Sequence, residues 1–133
     1  MKQKRTFGSI CALAAALLVS AGAALIAQEG VNKRVRFAPG HSSTVVKNAV
    51  VRGTRDRYVV GAKTGQTMTV SIRALEHNAV FSIAQPGGKY LPRATEESDA
   101  TKWSGKLPVS GDYVIEVGGT RGNANYSLTI AIK

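Results

Sequence analysis

From residue 28 onward the apolar positions recur at every second residue, and no stretch carries a helical period. Thr67 to Ala74 sets Met68, Val70, Ile72 and Ala74 against Thr67, Thr69, Ser71 and Arg73. Asp112 to Val117 opposes Tyr113, Ile115 and Val117 to Asp112, Val114 and Glu116, and Asn125 to Lys133 points Tyr126, Leu128, Ile130 and Ile132 inward. Phe81 and Ile83 repeat the pattern. Val45 to Arg52 and Arg57 to Lys63 are valine-rich and less regular, Lys102 to Leu107 forms a strand around Trp103, and Val35 with Phe37 suggests a short first strand. Turn residues separate the runs: Pro39-Gly40, Gly53, Thr64-Gly65-Gln66, Pro86-Gly87-Gly88, Ser110-Gly111-Asp112, Gly118-Gly119 and Gly122-Asn123. Alternating strands bury one face each, as antiparallel sheets do. The pattern predicts an all-β protein, an antiparallel β-sandwich of jelly-roll-like type with seven to eight short strands.

The first 27 residues read differently. MKQKRT is basic, and Phe7 to Ala27 contains no charge. A basic start, an apolar stretch and small residues at its end describe a secretory signal peptide, with cuts possible after Ala23 or Ala27. A stretch this long would also reach across a bilayer as an uncleaved anchor; the small residues crowding its second half favour cleavage. The expected division is a signal peptide at 1–27, a short linker at 28–34 and a β-sandwich domain at 35–133. The expected destination is the periplasm, with no stable membrane insertion after cleavage.

Composition narrows the function. The chain has 18 Lys+Arg against 8 Asp+Glu, for a net charge of +10. Loss of the signal peptide removes Lys2, Lys4 and Arg5 and no acid, which lowers the charge by three to +7. Cys11 is the only cysteine and lies in the signal segment, so the exported domain has no disulfide, no cysteine-based zinc site and no thiol nucleophile. Export, and basic residues scattered without a stripe or an aromatic binding motif, argue against nucleic acid as a partner. His41 and His77 are far apart in sequence and read as loop residues, no serine sits in a G-x-S-x-G turn, and no glycine loop leads into a helix. Glu76, Asp112 and Glu116 are the acids from which a glycosidase pair could be drawn, but Glu116 fits an exposed strand face equally well. The domain therefore reads as non-enzymatic, without cofactor or metal. Gln85 to Thr101 is the longest segment without apolar rhythm, of a length usually found in functional or disordered loops. Its acidic patch Glu96-Glu97-Ser98-Asp99 reads as solvated.

What remains is a rigid scaffold offering loops. In Leu107 to Tyr113, Pro108 fixes the approach, Gly111 permits a conformation closed to other residues, and Ser110 and Asp112 can bond turn amides before Tyr113 opens a strand. The turn either projects Ser110, Gly111, Asp112 and Tyr113 toward a partner or is structural, with Tyr113 in the core. Arg121 lies in a glycine-flanked loop from which a guanidinium can grip carboxylates in bidentate fashion; the plainer reading is a solubilising charge.

The residues beyond 35 carry a resemblance. VRFAPGHSS at 35–43, the turn from Gly53 to Tyr58, AKTGQTMTVSI at 62–72, LPVSGDYVIEV at 107–117, Thr120-Arg121 and NYSLTIAIK at 125–133 resemble, in order and spacing, the bacterial periplasmic inhibitors of g-type (goose-type) lysozyme. Single pieces also occur in other secreted β-sandwiches, such as prepeptidase C-terminal domains. The resemblance implies a non-catalytic inhibitor that inserts loops into the lysozyme's active-site cleft and so protects peptidoglycan. Ser110, Gly111 and Tyr113 match the family's SGxY turn, and Arg121 matches the arginine after the following strand. The chain departs from the pattern where Gly122-Asn123-Ala124 replaces a longer arginine-rich loop. It departs again where Thr54 and Arg55 stand in a turn that carries an aromatic in relatives. The rival reading is an envelope module that attaches through its basic surface to anionic wall polymer.

Overall fold

A computed structural model describes residues 29–133; the expectations for the signal segment lie outside the described residues. Eight strands form: β1 (Asn32–Arg34), β2 (Ser43–Val50), β3 (Asp56–Ala62), β4 (Thr67–Ala74), β5 (Ala79–Ala84), β6 (Lys102–Lys106), β7 (Gly111–Gly119) and β8 (Ala124–Ile132). They make two four-stranded sheets, with orders β1-β3-β7-β5 and β2-β8-β4-β6. Odd strands lie in the first sheet and even strands in the second, so every connection crosses the sandwich. The period-two pattern explains the layering. Met68, Val70, Leu128 and Ile130 of the second sheet face Tyr58, Ile83, Tyr113 and Ile115 of the first, all essentially without solvent contact.

Two details differ from the sequence reading. The first strand is Asn32–Arg34, earlier than Val35–Phe37 and inside the segment expected to be a linker. All three of its residues are exposed, so it carries no apolar signature; it adds to β3 through backbone bonds alone, as polar edge strands do. Val35 continues the pairing, its N–H donating to the Val59 carbonyl at 2.8 Å, and turns into the core. The second difference is direction. β1 runs parallel to β3, because the chain visits the other sheet between them and returns with the same heading.

The segment from Gln85 to Thr101 is packed. Leu91, Ala94 and Ala100 are buried. The Ile83 N–H donates to the Ala94 carbonyl, Leu91 N–H to Ile83, and Phe81 N–H to Ala100, each at 2.9 Å. Trp103 Nε1 fastens the segment by donating to the Pro92 carbonyl at 2.8 Å. The loop thereby pairs along the outer edge of β5 and closes a strand edge that would otherwise be open to another chain. Its acidic patch forms a single turn of 3-10 helix, Glu96–Ser98.

One polar network lies inside the sandwich. Asp56, 2% exposed, opens β3. Its carboxylate accepts the Val31 N–H (2.9 Å), the Asn48 Nδ2 (2.9 Å) and the Tyr126 hydroxyl (2.6 Å). The Tyr126 proton is thus committed, and the Tyr58 hydroxyl donates to Tyr126 at 2.5 Å. Burial first, then the bonds to Asp56 and Tyr58, hold the Tyr126 hydroxyl far above its ordinary value; burial likewise raises Tyr58. An unfolded tyrosine ionises near pH ~10. Above that pH the unfolded chain binds fewer protons than the folded one, so stability falls as pH rises. The contribution is intact below about pH 10 and is lost progressively toward the higher folded values. The expected slope is about 1.4 kcal/mol per pH unit for each of the two tyrosines. Urea unfolding measured from pH ~9 to ~11 checks it; Tyr126→Phe should flatten the slope, and an unchanged slope would remove these tyrosines as its cause.

Candidate functional site

The two groups of residues singled out in the sequence stand at opposite ends of β7. Ser110 and Gly111 lie where the strand begins, and Arg121 follows its far end. Its nine residues make eight steps of about 3.3 Å, which places these ends roughly 26 Å apart. They do not form one site.

At the first end, the turn is bound up internally. Ser110 Oγ accepts the Thr64 N–H at 2.9 Å and lies 3.2 Å from the Thr64 hydroxyl. Asp112 receives both guanidinium nitrogens of Arg34, at 3.1 and 2.6 Å. Those bonds hold the Asp112 carboxyl below its usual range and raise Arg34. Tyr113 is fully buried, and its hydroxyl donates to the Val109 carbonyl at 2.6 Å. A tyrosine bonding the backbone just upstream of its own strand is a corner brace of β-sandwiches. Gly111 is required: its φ is 141°, and a Cβ there would stand 2.8 Å from Pro86 Cγ. The structural reading of this turn fits every one of these contacts.

The second end gathers three loops, 51–55, 75–78 and 120–123. They are tied together. Arg52 N–H donates to Asn123 Oδ1 at 2.7 Å, Asn78 Nδ2 to the Asn123 carbonyl at 3.0 Å, and Thr120 N–H to the Asn78 carbonyl at 2.8 Å. Arg121 is exposed, and among the described residues its guanidinium makes one hydrogen bond, from Nη2 to the Glu76 carbonyl at 2.8 Å. Thr54 turns its hydroxyl onto the Val51 carbonyl at 2.8 Å. Arg55 leans over the outer face of the first sheet, 3.3 Å from Glu96 and 3.6 Å from Glu116. Glu116 also lies 3.6 Å from Arg57, and Glu96 accepts the Tyr90 hydroxyl at 2.8 Å, a bond that raises the Tyr90 hydroxyl above its ordinary value. Between these groups lies a polar recess of about 470 Å³, lined by Thr54, Arg55, Ser82, Glu96, Glu116 and Thr120 among others.

The backing of this end was not visible in the sequence. Gly30 presses on the Arg55 carbonyl so closely that no Cβ fits, and Asp56, the residue after Arg55, is tied to the Val31 N–H. His41 and His77 stand in loops at opposite ends of the sandwich. Among the described residues, no group of three or more His, Cys, Asp or Glu is arranged to hold a metal.

No family model and no curated protein matches the chain. Solved structures do. PliG of Aeromonas hydrophila, a periplasmic lysozyme inhibitor of g-type lysozyme, is 32% identical over 80% of this chain and 100% of its own, with a TM-score of 0.66. PliG of Salmonella Typhimurium, also a periplasmic lysozyme inhibitor of g-type lysozyme, is 28% identical over 78% of this chain and 99% of its own, with a TM-score of 0.62. A pre-peptidase C-terminal domain of a Bacillus anthracis collagenase shares the fold alone, at 14% identity over 80% of this chain and 98% of its own, with a TM-score of 0.56. Identity of 32% spanning the whole Aeromonas protein places this chain in the PliG family of periplasmic lysozyme inhibitors.

Proposed function

We propose that this chain inhibits a g-type lysozyme in the periplasm by presenting the loop end that carries Arg121, Thr54 and Arg55 to the enzyme's active-site cleft, and that it catalyses nothing itself. Family membership supports the inhibitor role. The observation that selects the end is Arg121: an exposed guanidinium with a single backbone partner, on a loop braced from two sides. A glycan-cleaving cleft contains carboxylates, and an arginine fork meets a carboxylate with two charge-assisted bonds. Arg55 adds a second cation, already shared between Glu96 and Glu116, so it contributes less. The Ser110–Tyr113 turn serves as the brace of the far end.

The test is a peptidoglycan-lysis titration against a g-type and a c-type lysozyme in parallel. Saturable loss of the g-type activity alone is the expected result; no loss at high micromolar protein would refute the proposal. Arg121→Ala should weaken inhibition about thirtyfold, the effect of losing a hot-spot arginine. Its unfolding free energy should stay within about 0.5 kcal/mol of wild type, as for other surface changes. Unchanged inhibition by this variant, with inhibition lost in Ser110→Ala, would move the contact to the opposite end of β7.

A further inference from the structure

The eight acids of the sequence are unevenly placed. Asp112 and Glu116 lie on β7; Glu96, Glu97 and Asp99 lie in the segment that covers β5; Asp56 is buried; Glu29 and Glu76 are at the N-terminal edge and in the β4–β5 loop. No acid occurs on β2, β4, β6 or β8, the whole of the second sheet. That sheet carries Lys47, Arg73, Lys102 and Lys106, all exposed. The ion pairs among the described residues all use Arg34 and Arg57 on the other sheet or Arg55 in the loop that leads into it.

Register puts the four cations on one face. Lys47, Ser127 and Arg73 stand side by side across β2, β8 and β4. The next row is Val45, Thr129, Ser71 and Lys102, and Lys106 is paired with Thr67 farther along. Strand spacing and rise set neighbouring cations roughly 8–13 Å apart. Between them the face offers hydroxyls and methyl groups, with Thr69 and Ser104 bonded to each other at 3.1 Å. A shallow depression of about 970 Å³ opens at its end, with Lys47, Arg73 and Lys102 at its margin and an apolar lining that includes Ile72, Ala74 and Leu75.

We infer that this face of the second sheet binds an extended anionic glycan, the carboxylate-bearing polymer of the cell wall, separately from the loop end that meets a lysozyme. Charge complementarity gives the sign of the partner. The hydroxyl rows suit sugar hydroxyls. A lipid surface would call for several bulky apolar groups inserting together, whereas Val45, 54% exposed, on β2 and Leu75, 94% exposed, just after β4 stand singly. Single-stranded nucleic acid would call for aromatic platforms, and the aromatics of these strands, Trp103 and Tyr126, are buried. The inference does not depend on the inhibitor reading.

The experiment is co-sedimentation of the purified protein with insoluble peptidoglycan. Wild type should sediment at low salt and be released near ~0.5 M salt, where charge interactions between exposed groups are screened. A variant combining Lys47→Ser, Arg73→Ser, Lys102→Ser and Lys106→Ser should bind about tenfold more weakly, the sum of several modest exposed ion pairs. Lys47→Ser with Lys102→Ser should fall between, and replaces the fourfold variant if that one does not show a wild-type melting curve. The control removes as many charges elsewhere: Lys33→Ser, Arg36→Ser, Lys63→Ser and Lys89→Ser. It should bind nearly as wild type does. Absence of sedimentation, equal loss in the control, or tighter binding to phosphatidylglycerol vesicles than to peptidoglycan would each overturn the inference.

Discussion

Asp56→Ala should lower the unfolding free energy by about 3–5 kcal/mol, enough to leave a domain of this size barely folded. The carboxylate receives three donors from three parts of the chain: the Val31 N–H, the Asn48 amide and the Tyr126 hydroxyl. Alanine leaves the Tyr126 donor buried and the Val31 and Asn48 donors partly buried, and each unpaired buried donor costs about 1–3 kcal/mol. The Tyr58 hydroxyl keeps Tyr126 as its partner, but Asp56 no longer orders that partner. Tyr126→Phe leaves the Val31 N–H and the Asn48 amide bonded to Asp56 and strands only the Tyr58 hydroxyl, so it should cost less, about 1–3 kcal/mol. Urea denaturation of both variants measures the contrast. If Asp56→Ala costs no more than Tyr126→Phe, the network does not hold the two sheets together. The variant should also weaken lysozyme inhibition, because Asp56 directly follows Arg55 and positions the loop that bears it.

The second large effect belongs to Tyr113. Tyr113→Ala should cost about 3–5 kcal/mol, the usual range for truncating a buried aromatic ring. The ring is fully buried in the core, so the loss is chiefly packing. Tyr113→Phe separates the two parts of the side chain. It keeps the ring and strands the Val109 carbonyl, which the hydroxyl otherwise satisfies at 2.6 Å. About 1 kcal/mol is expected for that bond. Thermal melting with inhibition assays on the folded fraction distinguishes scaffold from contact. A Tyr113→Phe protein that melts like wild type yet no longer inhibits would make the hydroxyl a contact group.

The architecture was largely legible because it rests on a strong local signal. The alternation in Thr67 to Ala74 and Asn125 to Lys133 is complete, and both runs became strands with Met68, Val70, Leu128 and Ile130 inside. β1 was illegible for the converse reason: Asn32, Lys33 and Arg34 bury nothing, and their pairing with β3 is backbone chemistry common to any sequence. Asp56 was missed because its partners come from β2, β8 and the N-terminal edge, and no spacing in the sequence brings them together. The separation of Ser110 from Arg121 is a different case. The strand between them was recognised, and a strand of that length necessarily holds its ends apart.

The crossing of every connection from one sheet to the other has a consequence for how the molecule forms. No strand of the sandwich is next to its sequence neighbour in a hydrogen-bonded pair, so no pairing begins as a hairpin. The central strand β7 binds β3 and β5, and β8 binds β2 and β4, so both sheets wait for the last strands to arrive. Loop-closure entropy must be met before any ladder contributes, which places folding in the slow regime of non-local β proteins, about milliseconds to seconds. Until β7 and β8 are available, the earlier strands can pair only as β1 with β3 and β4 with β6, and neither sheet has its centre. A chain built this way stays unfolded until its C-terminal third has emerged.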